Sequence, residues 1–321
     1  MENNEILPKK REFSDVIIPV PWGHVVGRWY GNRKERPILA IHGWLDNIGT
    51  WETLVPLLPR HVGVLCIDLP GHGQSSHLPT GIIYHIFDYI HIIQRVMRKF
   101  GWRKVSLMGH SMGSALSFLY TSLLPHTVDL VIAIEAMKQA RRPLDLQCFH
   151  MTVNFEHQLV EEERKERGQP LAYTYPRMEQ MLFEGSLQSV ELENCKHILN
   201  RGVERSAEDP QKYSFTRDPK LKTIRELNAT HEMELLLGAR IRNVPYCVIK
   251  GSESDFINED SRDLIELLRQ QNPDFEMHEV SGTHHVHLNN SEGVAAVLSP
   301  FISRHRPPLE DGTSTEQSSK L

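Results

Sequence analysis

Residues Val105 to Phe118 read VSLMGHSMGSALSF: an apolar run, then Gly109-His110-Ser111-Met112-Gly113, then a stretch of helical period. A G-x-S-x-G motif at a strand-to-helix junction predicts a sharp elbow that lifts the serine hydroxyl above a sheet. The two glycines take away side chains that would collide as strand and helix close on each other. Ser111 is therefore the candidate nucleophile, and the amide of Met112, at the start of the helix, is a candidate donor to a developing oxyanion. A plain Gly-rich turn is the competing reading, and the flanking pattern argues against it.

That pattern repeats along the chain. PILAIHG (37–43), VGVLCIDLPGHG (62–73), VSLMGHS (105–111) and LVIAIEA (130–136) are continuous apolar runs that end on small or polar residues, as strands buried on both faces do. Between them, Ile83, Ile86, Phe87, Ile90, Ile93, Met97 and Phe100 recur at helical spacing, as do Met112, Ala115, Leu116, Leu119 and Leu123. Residues 13–30 suggest an opening antiparallel hairpin around Pro21-Trp22-Gly23. Alternation resumes with PYCVIKG (245–251), a helix over 260–271, the strand FEMHEV (275–280) and a last helix over 293–303. The expectation is an α/β fold with a doubly wound, mostly parallel sheet. Residues 1–136 and 238–303 form its core. Residues 137–237, charged and without a convincing buried strand, form an inserted helical cap, and 304–321 form a flexible tail.

With 321 residues, 40% of them hydrophobic, the chain can bury a large core. A net charge of -5 with mixed signs offers no basic stripe for a phosphate backbone, so nucleic acid is not expected as a partner. Four widely spaced cysteines suggest a reducing compartment without disulfides. No secretory signal or membrane span is expected, so the reading is a soluble intracellular protein. The sequence ends Ser319-Lys320-Leu321, which reads as an address for a peroxisomal import receptor, giving a peroxisomal protein with a cytoplasmic pool.

A serine nucleophile needs a base, an acid and a second oxyanion donor. The loop His42-Gly43-Trp44-Leu45 follows an early strand and can present the Trp44 amide; His42 reads as structural. Losing such a donor typically costs about 3 kcal/mol of transition-state stabilisation. Of eighteen histidines, those in GTHHVHLN (282–289) follow the last strand. His284, first out of the strand, is the expected base, and His285 is the runner-up. A metal held by His284, His285 and His287 lacks a completing carboxylate or cysteine cluster, and none is expected. For the acid, Asp255 after the penultimate strand is preferred and Glu135 is the alternative, while Glu253 and Asp260 read as solvated loop residues.

The set HGWLDN (42–47), DLPGHGQS (68–75), GHSMGS (109–114), KGSESD (250–255) and GTHHVHLN (282–289) resembles the α/β-hydrolase superfamily, and more narrowly its serine hydrolase-like proteins. The resemblance spans nearly the whole chain. It implies Ser111 as nucleophile, Asp255 as acid, His284 as base, a helical cap, a structural His72, and no cofactor or metal. Ser291 stands where many relatives have proline, and Ser111 stands where dehalogenases and epoxide hydrolases of this fold carry a nucleophilic aspartate. The expected activity is hydrolysis of an ester or thioester of a small or acyl substrate through an acyl-enzyme. Carbon-carbon bond hydrolysis of a diketone and weakly active ligand binding are the alternatives. Arg141-Arg142 could meet an anionic group, though paired arginines there are more simply solvated.

Overall fold

A computed structural model describes residues 11–309, apart from 142, 167, 169, 170 and 225–228. In chain order its elements are β1 (Phe13–Val20), β2 (Gly23–Tyr30), β3 (Ile38–Ile41), β4 (Val64–Ile67), α1 (Ile86–Phe100), β5 (Val105–His110), α2 (Met112–Leu123), β6 (Val128–Ile134), α3 (Leu144–Glu166), β7 (Tyr173–Thr174), α4 (Tyr175–Gly185), α5 (Cys195–Gly202), β8 (Val203–Arg205), β9 (Lys212–Phe215), α6 (His231–Gly238), β10 (Tyr246–Gly251), α7 (Arg262–Gln271), β11 (Phe275–Val280), α8 (Val286–Asn289) and α9 (Ser291–His305). Short 3-10 turns lie between several of them.

Eight strands form one sheet in the order β1-β2-β4-β3-β5-β6-β10-β11. β1 and β2 are an antiparallel hairpin, β2 runs antiparallel to β4, and every later pairing is parallel. The central strands are buried on both faces because successive side chains alternate between two cores. Leu39, Ile41 and Leu107 pack on one side with Ile93 of α1, Leu116 of α2 and Leu264 of α7. Ile38, Ala40 and Met108 pack on the other with Trp51 and with Leu298 and Phe301 of α9. α1 begins on a capping box between His85 and Asp88 and stops at Gly101, whose φ of 69° ends the helix in the left-handed region.

The insertion is not wholly helical: β7, β9 and β8 make a small antiparallel sheet inside it. Each strand has only two to four residues, too short a period for sequence pattern to reveal. α6 packs on α2 and α7, so the expected boundary at 237/238 falls within an element that rests on the core. The expected tail boundary at 304 likewise falls inside α9.

Buried polar contacts fasten the insertion. The Asp68 carboxylate, fully buried after β4, accepts from Arg201 Nε of α5 at 2.8 Å, and also from the amides of Ile48 and Gln74 at 2.8 and 3.0 Å. A buried ion pair persists only when its remaining lone pairs are satisfied in this way. The four cysteines are free, and among the described residues no helix is long and apolar enough to cross a membrane.

Candidate active site

Ser111 sits between β5 and α2 at φ 51° and ψ -115°, a strained conformation for a residue with a Cβ. Its neighbours explain how the strain is held. Gly113 presses on β3, where a Cβ would fall on the Ile41 carbonyl, and a Cβ on Gly109 would fall on the backbone of Gly113 and Ser114. The Ser111 amide donates to the Ile134 carbonyl at 2.9 Å, and Ser114 Oγ donates to the Gly109 carbonyl at 2.6 Å. Strand, elbow and helix are thus locked to β6.

Ser111 opens onto a cavity of about 930 Å³. Trp44, Met112, Ile86, Met151, Phe155 and Phe256 are among the residues around it, so cap helix α3 supplies part of an apolar wall. Among the described residues nothing accepts a hydrogen bond from the amides of Trp44 and Met112, and the Trp44 indole is fixed by the Leu221 carbonyl at 2.8 Å. Gly43 brings the Trp44 loop against the elbow: a Cβ there would lie 2.9 Å from His110 Nδ1 and 3.4 Å from the Ser111 Cβ.

His284 lies in the loop after β11. Its carbonyl accepts from His110 Nε2 at 2.9 Å, which docks this loop on the residue just before the serine. Its Nδ1 lies 3.0 Å from Glu135 Oε2. A carboxylate there accepts the Nδ1 proton and leaves Nε2 with its lone pair, the tautomer a general base needs. The Phe256 ring stacks on the imidazole, with centroids 3.7 Å apart. No hydrogen bond joins Ser111 Oγ to His284; contacts between nucleophile and base often tighten only when substrate binds.

The structure brings Glu135, the alternative, to His284 and not the preferred Asp255. Asp255 is exposed, and among the described residues its carboxylate has no hydrogen-bond partner, while its backbone carbonyl accepts from Asn258 Nδ2 at 3.0 Å. Glu135 is fully buried, at φ 65° directly after β6. That positive φ turns its side chain under the histidine loop, where the Gly251 amide donates to Oε1 and Ser254 Oγ donates to Oε2. The turn after β10 therefore contributes Ser254 to the acid and directs Asp255 to solvent. Glu253 and Asp260 are also exposed, Asp260 lying 3.3 Å from Arg141.

His285 and His287 are engaged elsewhere. His285 Nδ1 meets Ser189 Oγ of the cap at 2.8 Å, and His287 Nε2 meets Thr50 Oγ1 at 2.8 Å. Burial, and after it neighbouring imidazoles, hold His110 and His285 well below the usual histidine range and His287 down at about 3. His42 and His72 are buried struts: each Nδ1 faces a carbonyl, of Gly43 and Pro70, and each Nε2 accepts an amide, of Leu69 and Leu45. Arg141 pairs with Glu234 and Asp260, and Arg142 lies outside the described residues.

Sequence reasoning missed Ser254, Phe256, and the pair Asp46 and His110 behind the base. Gly43 carried the available signal, since a glycine beside the motif requires something to approach it closely.

A serine on a strained elbow, an imidazole with a buried carboxylate behind it, and a covered apolar cavity above them define a hydrolase site of the serine type. The chain belongs to the alpha/beta hydrolase fold family, whose model matches residues 36–291. Within that family it is similar over most of its length to serine hydrolase-like proteins. A Drosophila melanogaster protein named "Probable serine hydrolase" is 36% identical over 91% of this chain and 87% of its own length. A Danio rerio "Serine hydrolase-like protein" is 32% identical over 97% of this chain and 95% of its own. Among solved structures, a hypothetical protein from Pseudomonas aeruginosa superposes with a TM-score of 0.77 at 25% identity, covering 90% of this chain and 99% of that one.

Proposed function

We propose that the protein hydrolyses an ester or thioester of an acyl substrate through Ser111, His284 and Glu135. The observation that carries this reading is the buried Glu135-His284 contact at 3.0 Å, set behind a positive-φ serine that faces the cavity. His284 Nε2 takes the Oγ proton as Ser111 attacks the carbonyl carbon. The oxygen becomes an anion beside the free amides of Trp44 and Met112, the only charge-stabilising groups the proposal requires. As the tetrahedral intermediate collapses, the carbon-oxygen or carbon-sulfur bond breaks and His284 returns the proton to the departing alcohol or thiol. Water, deprotonated by the same imidazole, then releases the acid and restores Ser111.

An apolar wall that includes Met151 and Phe155 favours an acyl chain over a highly polar substrate. Import into peroxisomes through Ser319-Lys320-Leu321, with a cytoplasmic pool, belongs to the same proposal. Those residues lie outside the described ones, and the test is cellular location after their deletion.

The decisive experiment compares the protein with Ser111→Ala on short- to long-chain esters, matching thioesters and a vinylogous diketone. Turnover of esters or thioesters that vanishes in Ser111→Ala supports the reading. Cleavage of the diketone alone would replace it with carbon-carbon hydrolysis, and tight ligand binding without turnover of any compound would replace it with a binding role.

A further inference from the structure

Behind the base lies a second constellation that the proposed chemistry does not use. Asp46 Oδ2 is 3.8 Å from His110 Nδ1 and 3.8 Å from His285 Nε2, and one donor atom from each of the three residues lies within 4.8 Å of the others. Asp46 and His110 are buried, while His285 keeps 12% of its side chain exposed. Among the described residues neither Asp46 Oδ2 nor His110 Nδ1 has a hydrogen-bond partner, although both are buried.

The surrounding bonds fix the tautomers of the two imidazoles. His110 Nε2 faces the His284 carbonyl, which can only accept, so Nε2 carries the proton and Nδ1 presents a lone pair. Ser189 Oγ donates to the Ser186 carbonyl and so accepts from His285 Nδ1, which leaves a lone pair on His285 Nε2. Asp46 Oδ1 accepts from the Asn47 amide, and Oδ2 faces inward. Two imidazole lone pairs and a carboxyl oxygen therefore converge on one point. The 3.8 Å separations are too long for a direct hydrogen bond. They are within a few tenths of an ångström of the about 3.3 to 3.6 Å that metal bonds of about 2.0–2.1 Å give at tetrahedral to trigonal angles.

From this convergence we infer that Asp46, His110 and His285 form a structural binding site for a divalent transition cation of the zinc type. Two neutral imidazoles and one carboxylate suit Zn²⁺ and its first-row neighbours and do not suit Ca²⁺ or Mg²⁺, which take oxygen ligands. None of the three residues lines the cavity that holds Ser111, so the cation is out of reach of substrate and its role is mechanical. It ties together the loop that carries the Trp44 amide, the residue before the nucleophile, and the loop that carries His284. The carboxylate that the histidine cluster lacks in sequence comes from a residue more than two hundred positions upstream, and the third ligand is His110 rather than His284 or His287.

The test uses the full chain, stripped with a chelator and titrated with Co²⁺ and then Zn²⁺. The expected result is one cation per chain, with visible Co²⁺ ligand-field bands and no near-ultraviolet thiolate charge-transfer band. Tm should rise by about 3–5 °C at one-hundred-fold excess of Zn²⁺ over its Kd. Asp46→Asn and His285→Gln should each weaken binding by about one-hundred-fold or more, and His278→Gln should leave it unchanged. Absence of Co²⁺ bands and of any Tm shift would mean that a water fills the gap and would overturn the inference. So would a thiolate band or loss of binding in His278→Gln, which would move the cation to the second possible cluster at Cys247, Glu276 and His278. The unmodified chain's spectrum decides even if a variant fails to fold.

Discussion

Replacing Glu135 by glutamine tests the reassigned acid at a single atom. In the native site Oε1 accepts the Gly251 amide, while Oε2 accepts both Ser254 Oγ and His284 Nδ1. A glutamine has one acceptor oxygen, and the Gly251 amide, which can only donate, claims it. The amide nitrogen then faces His284, and two N–H groups cannot share that 3.0 Å contact. The imidazole must shift its proton to Nε2, where it can no longer accept the Ser111 proton. The same tautomer error in a well-known serine protease lowers kcat about ten-thousand-fold, equivalent to about 5.5 kcal/mol of barrier. With a chromogenic acyl ester, kcat should fall by about 10³- to 10⁴-fold in Glu135→Gln with KM within about threefold, because the substituted group touches no substrate. Asp255→Asn should stay within about twofold of the native rate, its carboxylate being exposed and unbonded. Near-native turnover in Glu135→Gln together with a large loss in Asp255→Asn would refute this reasoning.

Three further outcomes follow from the same geometry. Gly113→Ala forces a methyl group onto the Ile41 carbonyl and should destabilise the fold by about 3 kcal/mol, read as a lower urea midpoint; an unchanged midpoint would contradict the close packing of elbow on strand. Phe155→Ala removes apolar wall from the cap side of the cavity and should lower kcat/KM about tenfold for long acyl esters but less than twofold for acetyl esters, with uniform losses counting against an acyl pocket. His42 and His72 are buried neutral, with pKa values below the free histidine value of 6.5 chiefly through burial, so unfolding below pH 6.5 takes up protons the native state lacks. Their contribution is full above pH 6.5 and is lost as pH falls through it, by about 1.4 kcal/mol per pH unit for each; His72→Gln should make the acid slope of urea stability shallower by about one proton, and an unchanged slope would show that His72 is not buried neutral.

Much of the molecule was legible because its physics is local. Continuous apolar runs ending on small residues marked β3, β4, β5, β6 and β10, and the elbow motif carried its own steric reason in Gly109 and Gly113. Which carboxylate meets His284 was not legible, because adjacency along a sheet edge says nothing about depth. Glu135 directly follows a five-residue apolar run, a place where a charged side chain is either expelled or employed, but only its φ of 65° shows which way it turns. Asp255 sits one residue past Ser254, and which of the two faces inward depends on how the turn after β10 meets the Glu135 carboxylate. The Asp46-His110-His285 cluster was invisible for a different reason: it joins two loops and the end of β5, distant in sequence, and His110 stands at a variable position of the motif. The cap strands were too short to leave a period.

Acyl transfer of this kind requires Ser111 to be an activated nucleophile, and covalent labelling measures that without knowledge of the natural substrate. Incubation with a fluorophosphonate, followed by peptide mass spectrometry, should find one adduct, on Ser111, that forms far more slowly in Glu135→Gln and is absent in Ser111→Ala. Adduct formation elsewhere, or a Ser111 that stays unmodified in folded protein, would contradict the claim.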